Sequence, residues 1–101
     1  GQGVRAVGRF HARHRAEIDT AGGLYYEPYT VADPKCFGLE DARTIHPGAR
    51  GIVAVDVAEY YRKPGRYGWL AEYEPFLHLG FSTWLFDTRE PAPGGRPDWA
   101  D

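Results

Sequence analysis

The sequence predicts a mostly β domain, a small five-stranded β-barrel with one short helix. Residues 4 to 18 alternate, with apolar or small residues at most even positions and basic residues at most odd ones. A period of two is typical of a half-buried strand. The rest of the chain has short runs of β-branched and aromatic residues separated by glycine and proline, which favours several short strands. Closing those strands into a barrel would remove their exposed edges.

The first predicted strand covers residues 4 to 18 and has one basic face. Gly8 lies inside this stretch and argues against a helix, because glycine destabilises helix interiors. Alternate strand residues project the same way at intervals of about 6.6 Å. The basic face consists of Arg5, Arg9, His11, Arg13 and Arg15. Residues 24 to 31 predict a returning strand, which Pro28 marks as an edge strand or a bulged one.

The second half of the chain predicts a short helix and three further strands. Residues 39 to 45 predict the helix, with its acids in the first turn, where the helix dipole favours them. Residues 52 to 61, 66 to 76 and 77 to 86 predict the strands, with a turn at residues 63 to 65. We therefore expect one domain over residues 1 to 87. Residues 88 to 101 are rich in proline and glycine and predict a flexible tail.

Composition excludes several classes of protein. A chain of 101 residues is long enough for one domain. It contains no apolar run near the roughly 20 residues that a membrane helix needs, so we expect no membrane partner. The single cysteine, Cys36, excludes an internal disulfide, and we expect neither a metal nor another cofactor. No export signal pattern is visible, which favours a cytoplasmic location.

Residues 47 to 87 carry a series of short motifs. They are Pro47-Gly48-Ala49 before Ile52-Val53-Ala54-Val55, then Pro64-Gly65 before Arg66-Tyr67-Gly68-Trp69-Leu70, then Gly80 before Trp84-Leu85-Phe86. This series resembles the second half of an ASCH domain, in the PUA-like superfamily of small β-barrels. Residues 8 to 12 are similar to the Gly-Arg strand of the same family. The resemblance implies a PUA-like barrel, and no position matches a catalytic set of that family.

The basic face and the aromatic residues predict a non-catalytic module that binds RNA, single-stranded nucleic acid or a modified or unpaired base. Arginines two residues apart on a strand have a spacing comparable to that of backbone phosphates. Aromatic rings at the mouth of a barrel would stack a base. The predicted binding residues are Arg5, Arg9, His11, Arg13, Arg15, Arg66, Tyr67 and Trp69. Equally, the arginines could form a solvated outer face and the aromatic rings could fill the core.

Two other functions are compatible with the sequence. A protein-interaction or immunity-type accessory domain would use the arginine face to hold an acidic partner. The net charge of −2 fits this alternative as well as it fits nucleic-acid binding. A small amidohydrolase acting on a modified nucleoside is the third alternative, implied by the ASCH resemblance. Only Lys35 and Lys63 could supply its lysine, and neither lies at a family-like position, so we expect no catalytic activity.

Overall fold

The computed structural model describes residues 2–27 and 37–100 of the chain. The helices and strands of these residues are, in chain order, α1 (Gln2–Arg13), α2 (Arg15–Thr20), β1 (Leu24–Tyr25), β2 (Ile52–Asp56), α3 (Val57–Arg62), α4 (Pro64–Tyr67), a 3₁₀ helix (Gly68–Glu72), β3 (Leu77–Leu79) and β4 (Thr83–Asp87). The described strands form one open sheet flanked by helices. The prediction of a five-stranded barrel is therefore wrong, and so is the barrel that the ASCH resemblance implied.

The strand order in the sheet is β1-β2-β4-β3. β1 runs parallel to β2, while β4 is antiparallel to both β2 and β3. One face of the sheet packs against α1 and α2 through Val7, Phe10 and Ile18. The other face packs against α4 and the 3₁₀ helix through Tyr67 and Leu70. Helices on both faces bury the apolar surface that a barrel would have enclosed, which leaves the sheet open.

The basic segment is helical, so the strand predicted over residues 4 to 18 is wrong. Its buried residues include Val4, Val7, His11, His14 and Ile18, which lie three or four apart, and Phe10 on the same side. That spacing is the period of a helix. The alternation arose because the buried His11 counts as polar and the exposed or half-buried Ala6, Ala12 and Ala16 count as apolar.

The strand predicted over residues 52 to 61 begins at Ile52 but ends at Asp56. Asp56 is the N-cap of α3, and its Oδ1 accepts hydrogen bonds from the backbone N–H groups of Ala58 (2.8 Å) and Glu59 (3.2 Å). The strand predicted over residues 66 to 76 is also wrong. Pro64 begins α4 there, since proline suits the first turn of a helix.

The remaining elements also differ from the prediction. The helix predicted over residues 39 to 45 is absent, because Arg43 pairs with Tyr25 beside β1 and its carbonyl accepts from Tyr26 N–H at 2.9 Å. The returning strand ends at Tyr25, and residues 28 to 31 lie outside the described part of the chain. The last predicted strand is a hairpin. Gly80 turns the chain between β3 and β4 with φ +63°, a conformation that favours glycine.

Residues 88 to 100, where the sequence predicts a tail, lie against the domain. Ala100 belongs to the core cluster on the α1 face of the sheet, and Trp99 packs against that cluster. Arg96 donates hydrogen bonds to the carbonyls of Phe76 (3.2 Å) and Ala100 (3.0 Å). These contacts bring the C-terminal segment close to α1, since Trp99 is 6.1 Å from Phe10 between ring centroids.

Candidate functional site

Three arginines form a row along the exposed side of α1. Arg5, Arg9 and Arg13 follow one another at intervals of four residues and are exposed to solvent. Four residues correspond to about 6 Å along a helix axis, and side chains so spaced lie on one side of it. α1 contains no acidic residue, so no side chain of the helix offsets their charge. We call these three residues the arginine row.

Arg13 of the arginine row makes an interaction, and the chain's seven other arginines have partners as well. Four of them form ion pairs: Arg15 with Asp41, Arg62 with Glu59, Arg66 with Glu27 and Arg89 with Asp87. Three others contact a ring or a carbonyl: Arg43 lies over Tyr25, Arg50 donates to the Thr88 carbonyl and Arg96 to those of Phe76 and Ala100. Within residues 2–27 and 37–100, Arg5 and Arg9 have no hydrogen bond, ion pair or ring contact. Their guanidinium donors are available to a ligand.

A cleft lies on one side of the arginine row. It is lined by Arg5, Gly8, Arg9, Ala12 and Phe37 and has a volume of about 460 Å³. Gly8 and Ala12 are one turn apart on α1; Gly8 lies under the Phe37 backbone, and the small side chain of Ala12 leaves the helix surface low beside it. The cleft therefore combines an apolar floor, one aromatic wall and two cationic side chains.

The wall of this cleft is held against α1 at several points. A Cβ atom at position 8 would lie 2.6 Å from the carbonyl oxygen of Phe37, so only glycine permits this close approach. The buried His11 donates from Nδ1 to the Gly38 carbonyl at 3.3 Å; because a carbonyl only accepts, Nδ1 carries the proton. Arg15 pairs with Asp41 a few residues further along. Phe37 is thus positioned by its own contact with Gly8 and by the contacts of residues that follow it in the chain.

A second groove runs on the opposite side of the arginine row, between α1 and the β3–β4 hairpin. One part, of about 210 Å³, is lined by Ala6, Arg9, Phe10, Arg13, Leu77 and Leu79. Another part, of about 360 Å³, is lined by Arg5, Ala6, Arg9 and Gly80. Phe81, next along the hairpin, is fully exposed. Arg9 borders both this groove and the cleft beside Phe37.

The structure separates the binding residues that the sequence predicts. It brings Arg5, Arg9 and Arg13 together in the arginine row. His11 is buried on another side of α1, and Arg15 and Arg66 are engaged in ion pairs with Asp41 and Glu27. Tyr67 is completely buried and Trp69 packs against the same cluster, on the face of the sheet opposite α1. The predicted aromatic residues therefore do not accompany the arginine row.

Gly8, Ala12 and Phe37 are site residues that the sequence did not predict. Phe37 is 29 residues from Gly8 in the chain, so no local pattern connects them. Gly8 was the one sequence feature that could have indicated the cleft. A glycine inside a helix often marks a close approach of another segment, but the helix itself has to be recognised first.

The described residues contain no group of three or more His, Cys, Asp or Glu side chains that could hold a metal ion. None of the helices in this part of the chain has the length and apolar character required to cross a bilayer.

Comparison of the chain with family models, with curated proteins and with solved structures gave no match. The function is therefore inferred from the residues of this chain alone.

Proposed function

We propose that this chain is a non-catalytic nucleic-acid-binding module in which α1 contacts the phosphate backbone through the arginine row. The observation that carries the proposal is that Arg5 and Arg9 are exposed and, in the described part of the chain, unpaired. They are exposed on successive turns of one helix and have no partner among the described residues, whereas other arginines of the chain are paired. Guanidinium groups suit phosphate because their planar fork donates two parallel hydrogen bonds.

The charge arrangement on α1 supports a polyanionic ligand. Like charges four residues apart on a helix repel each other by a few tenths of a kcal/mol. A phosphate bound between Arg5 and Arg9 would remove that repulsion and add charge-assisted hydrogen bonds. The chain as a whole has a net charge of −2, so the acidic residues elsewhere would repel a polyanion from other surfaces. Binding would therefore be confined to the side that carries the arginine row.

The test measures binding of a short fluorescent single-stranded RNA by anisotropy over a series of salt concentrations. We expect Arg9→Ala to weaken binding and to lower the slope of log K against log salt by about one. The matched control is Arg62→Ala, which removes the same charge from α3, where Arg62 is 71% exposed. The control should keep the wild-type salt dependence. Equal losses in both variants would contradict the proposal, because they would indicate attraction by overall charge.

An acidic protein partner is the second candidate, favoured by the fully exposed Phe81 beside a groove lined by Leu77 and Leu79. An apolar groove with cationic sides would fit an acidic amphipathic helix. Absence of any RNA or DNA binding at low salt would overturn the nucleic-acid proposal in favour of this one. Phe81→Ala separates the two, since it should leave phosphate contacts on α1 unchanged and weaken a protein complex.

A further inference from the structure

We infer that the cleft between α1 and Phe37 holds one unpaired base, stacked on the Phe37 ring, while Arg5 and Arg9 bind the adjoining phosphates. This inference rests on the proposed function and specifies its ligand as single-stranded nucleic acid. The volume of about 460 Å³ accommodates a nucleobase with its sugar. A base within a duplex is stacked and paired, so it would have to leave the helix before entering such a cleft.

The lining of the cleft has the chemistry that a nucleotide needs. A base presents two apolar faces and polar edges, and its sugar carries a phosphate. Phe37 is half-buried, so its ring is supported from behind and remains partly accessible. Ala12 is exposed and has no side chain beyond Cβ, so it leaves room in the cleft, whereas Gly8 is covered by the backbone of Phe37. Arg5 and Arg9 lie in the same cleft and supply the cationic donors that a phosphate requires.

The cleft is also built before a ligand arrives. The contact of Gly8 with the Phe37 carbonyl and the hydrogen bond from His11 to Gly38 fix the aromatic wall on a helix of the core. A ring that is already positioned loses little conformational freedom when a base stacks on it. Gly8 is consistent with this role, because alanine would be the better helix former if space allowed it.

The experiment uses a single-stranded oligonucleotide containing 2-aminopurine, whose fluorescence falls when the base stacks on an aromatic ring. We expect the wild type to quench it and to bind it more tightly than the same sequence annealed to its complement. Phe37→Leu keeps an apolar side chain and removes the aromatic face. It should abolish the quenching and weaken single-strand binding by about 5-fold or more, as expected from loss of one base–aromatic stack.

A second variant keeps the test independent of Phe37. Ala12 is exposed on α1, so Ala12→Leu extends into the cleft without entering the core, and leucine is a good helix former. It should also abolish the quenching, whereas Ala16→Leu, at an exposed position on α2 outside this cleft, should not. Circular dichroism establishes that each variant is folded.

The outcomes distinguish this inference from the proposed function. Retained quenching in both Phe37→Leu and Ala12→Leu, with binding still lost in Arg9→Ala, would overturn the base site and leave the phosphate contact standing. Tighter binding of the duplex than of the single strand would also overturn the base site and leave the phosphate contact standing. Absence of binding to either form would overturn both.

Discussion

The Tyr67 hydroxyl donates a hydrogen bond of 2.9 Å to Oε1 of Glu27, although the two residues are 40 positions apart in the chain. The other carboxylate oxygen of Glu27 accepts from the backbone N–H of Ile45 at 2.9 Å and pairs with Arg66. This single carboxylate therefore joins the end of β1, the segment before β2 and helix α4. Tyr67 is completely buried, so its hydroxyl needs a partner inside the protein.

Removing the Tyr67 hydroxyl should destabilise the fold. Hydrogen bonds to charged groups contribute about 1.5–3 kcal/mol, so we expect Tyr67→Phe to lower the free energy of unfolding by an amount in that range. The control is Tyr73→Phe, whose hydroxyl makes a more exposed bond of 3.3 Å to the Glu90 carbonyl and should contribute at most about 0.5 kcal/mol. Urea denaturation of both variants measures the difference. Equal values would show that the Glu27 contact contributes nothing specific.

The buried Thr88 side chain secures the segment that precedes β2. Its Oγ1 donates to the Ala49 carbonyl at 2.6 Å and accepts from Gly51 N–H at 3.1 Å. Thr88→Val has the same shape but leaves two buried polar groups without partners, so we expect a loss of about 2–3 kcal/mol. Thr88→Ser keeps the hydroxyl and loses one methyl group, at about 1 kcal/mol. A serine variant less stable than the valine variant would contradict this explanation.

Substitution by alanine at two helical glycines should change the stability of the fold in opposite directions. Alanine is favoured over glycine in a helix by about 1 kcal/mol. Gly65 in α4 has open space around it, so Gly65→Ala should raise the melting temperature slightly. Gly8→Ala places a Cβ 2.6 Å from a backbone oxygen, and overpacking of this kind costs about 1–3 kcal/mol. Thermal unfolding of the pair provides the measurement, and stabilisation by Gly8→Ala would mean that Phe37 is not held against α1.

Tyr26 should make stability depend on pH in the alkaline range. Burial, with a smaller contribution from the Asp56 carboxylate, raises the pKa of Tyr26 from 10.0 to about 12. The folded state thus favours the neutral phenol. The resulting stabilisation is complete below pH 10 and is lost as the pH rises to about 12, to a total of at most about 3 kcal/mol.

The test compares the free energy of unfolding at several pH values in this window for Tyr26→Phe and Tyr61→Phe. Tyr26→Phe should show a shallower decline than the wild type, because it has no phenol to ionise. Tyr61 is 68% exposed, and its phenylalanine variant should follow the wild type. If the free energy of unfolding of Tyr26→Phe declined with pH as steeply as that of the wild type, the raised pKa of Tyr26 would be refuted.

The apolar run that begins at Ile52 was recognisable as a strand without any tertiary information. Its residues are entirely buried through Val55, and such a run suits the centre of a sheet. The end of that strand could also have been recognised. Asp56 precedes a segment with an acidic residue three positions later, Glu59, and this is a helix N-cap pattern.

The sequence by itself determined that Arg5, Arg9 and Arg13 lie on one side of an exposed surface. A spacing of four residues is a multiple of the strand period and is also close to one helical turn, so either structure aligns these three residues. His11 is only two residues from Arg9. A strand would place the two side by side, but a helix rotates them apart by about 200°, and His11 is buried.

Only the tertiary structure decided which arginines are left without a partner. Asp41 and Glu27 neutralise Arg15 and Arg66 from 26 and 39 positions away in the chain, and no local pattern predicts such pairings. The same holds for the cleft, whose aromatic wall, Phe37, comes from a segment far from α1 in sequence. Local periodicity reports which side of an element is apolar. Which distant segment covers that side depends on packing of the whole chain, and here that packing placed Phe37 beside Gly8 and left Arg5 and Arg9 exposed.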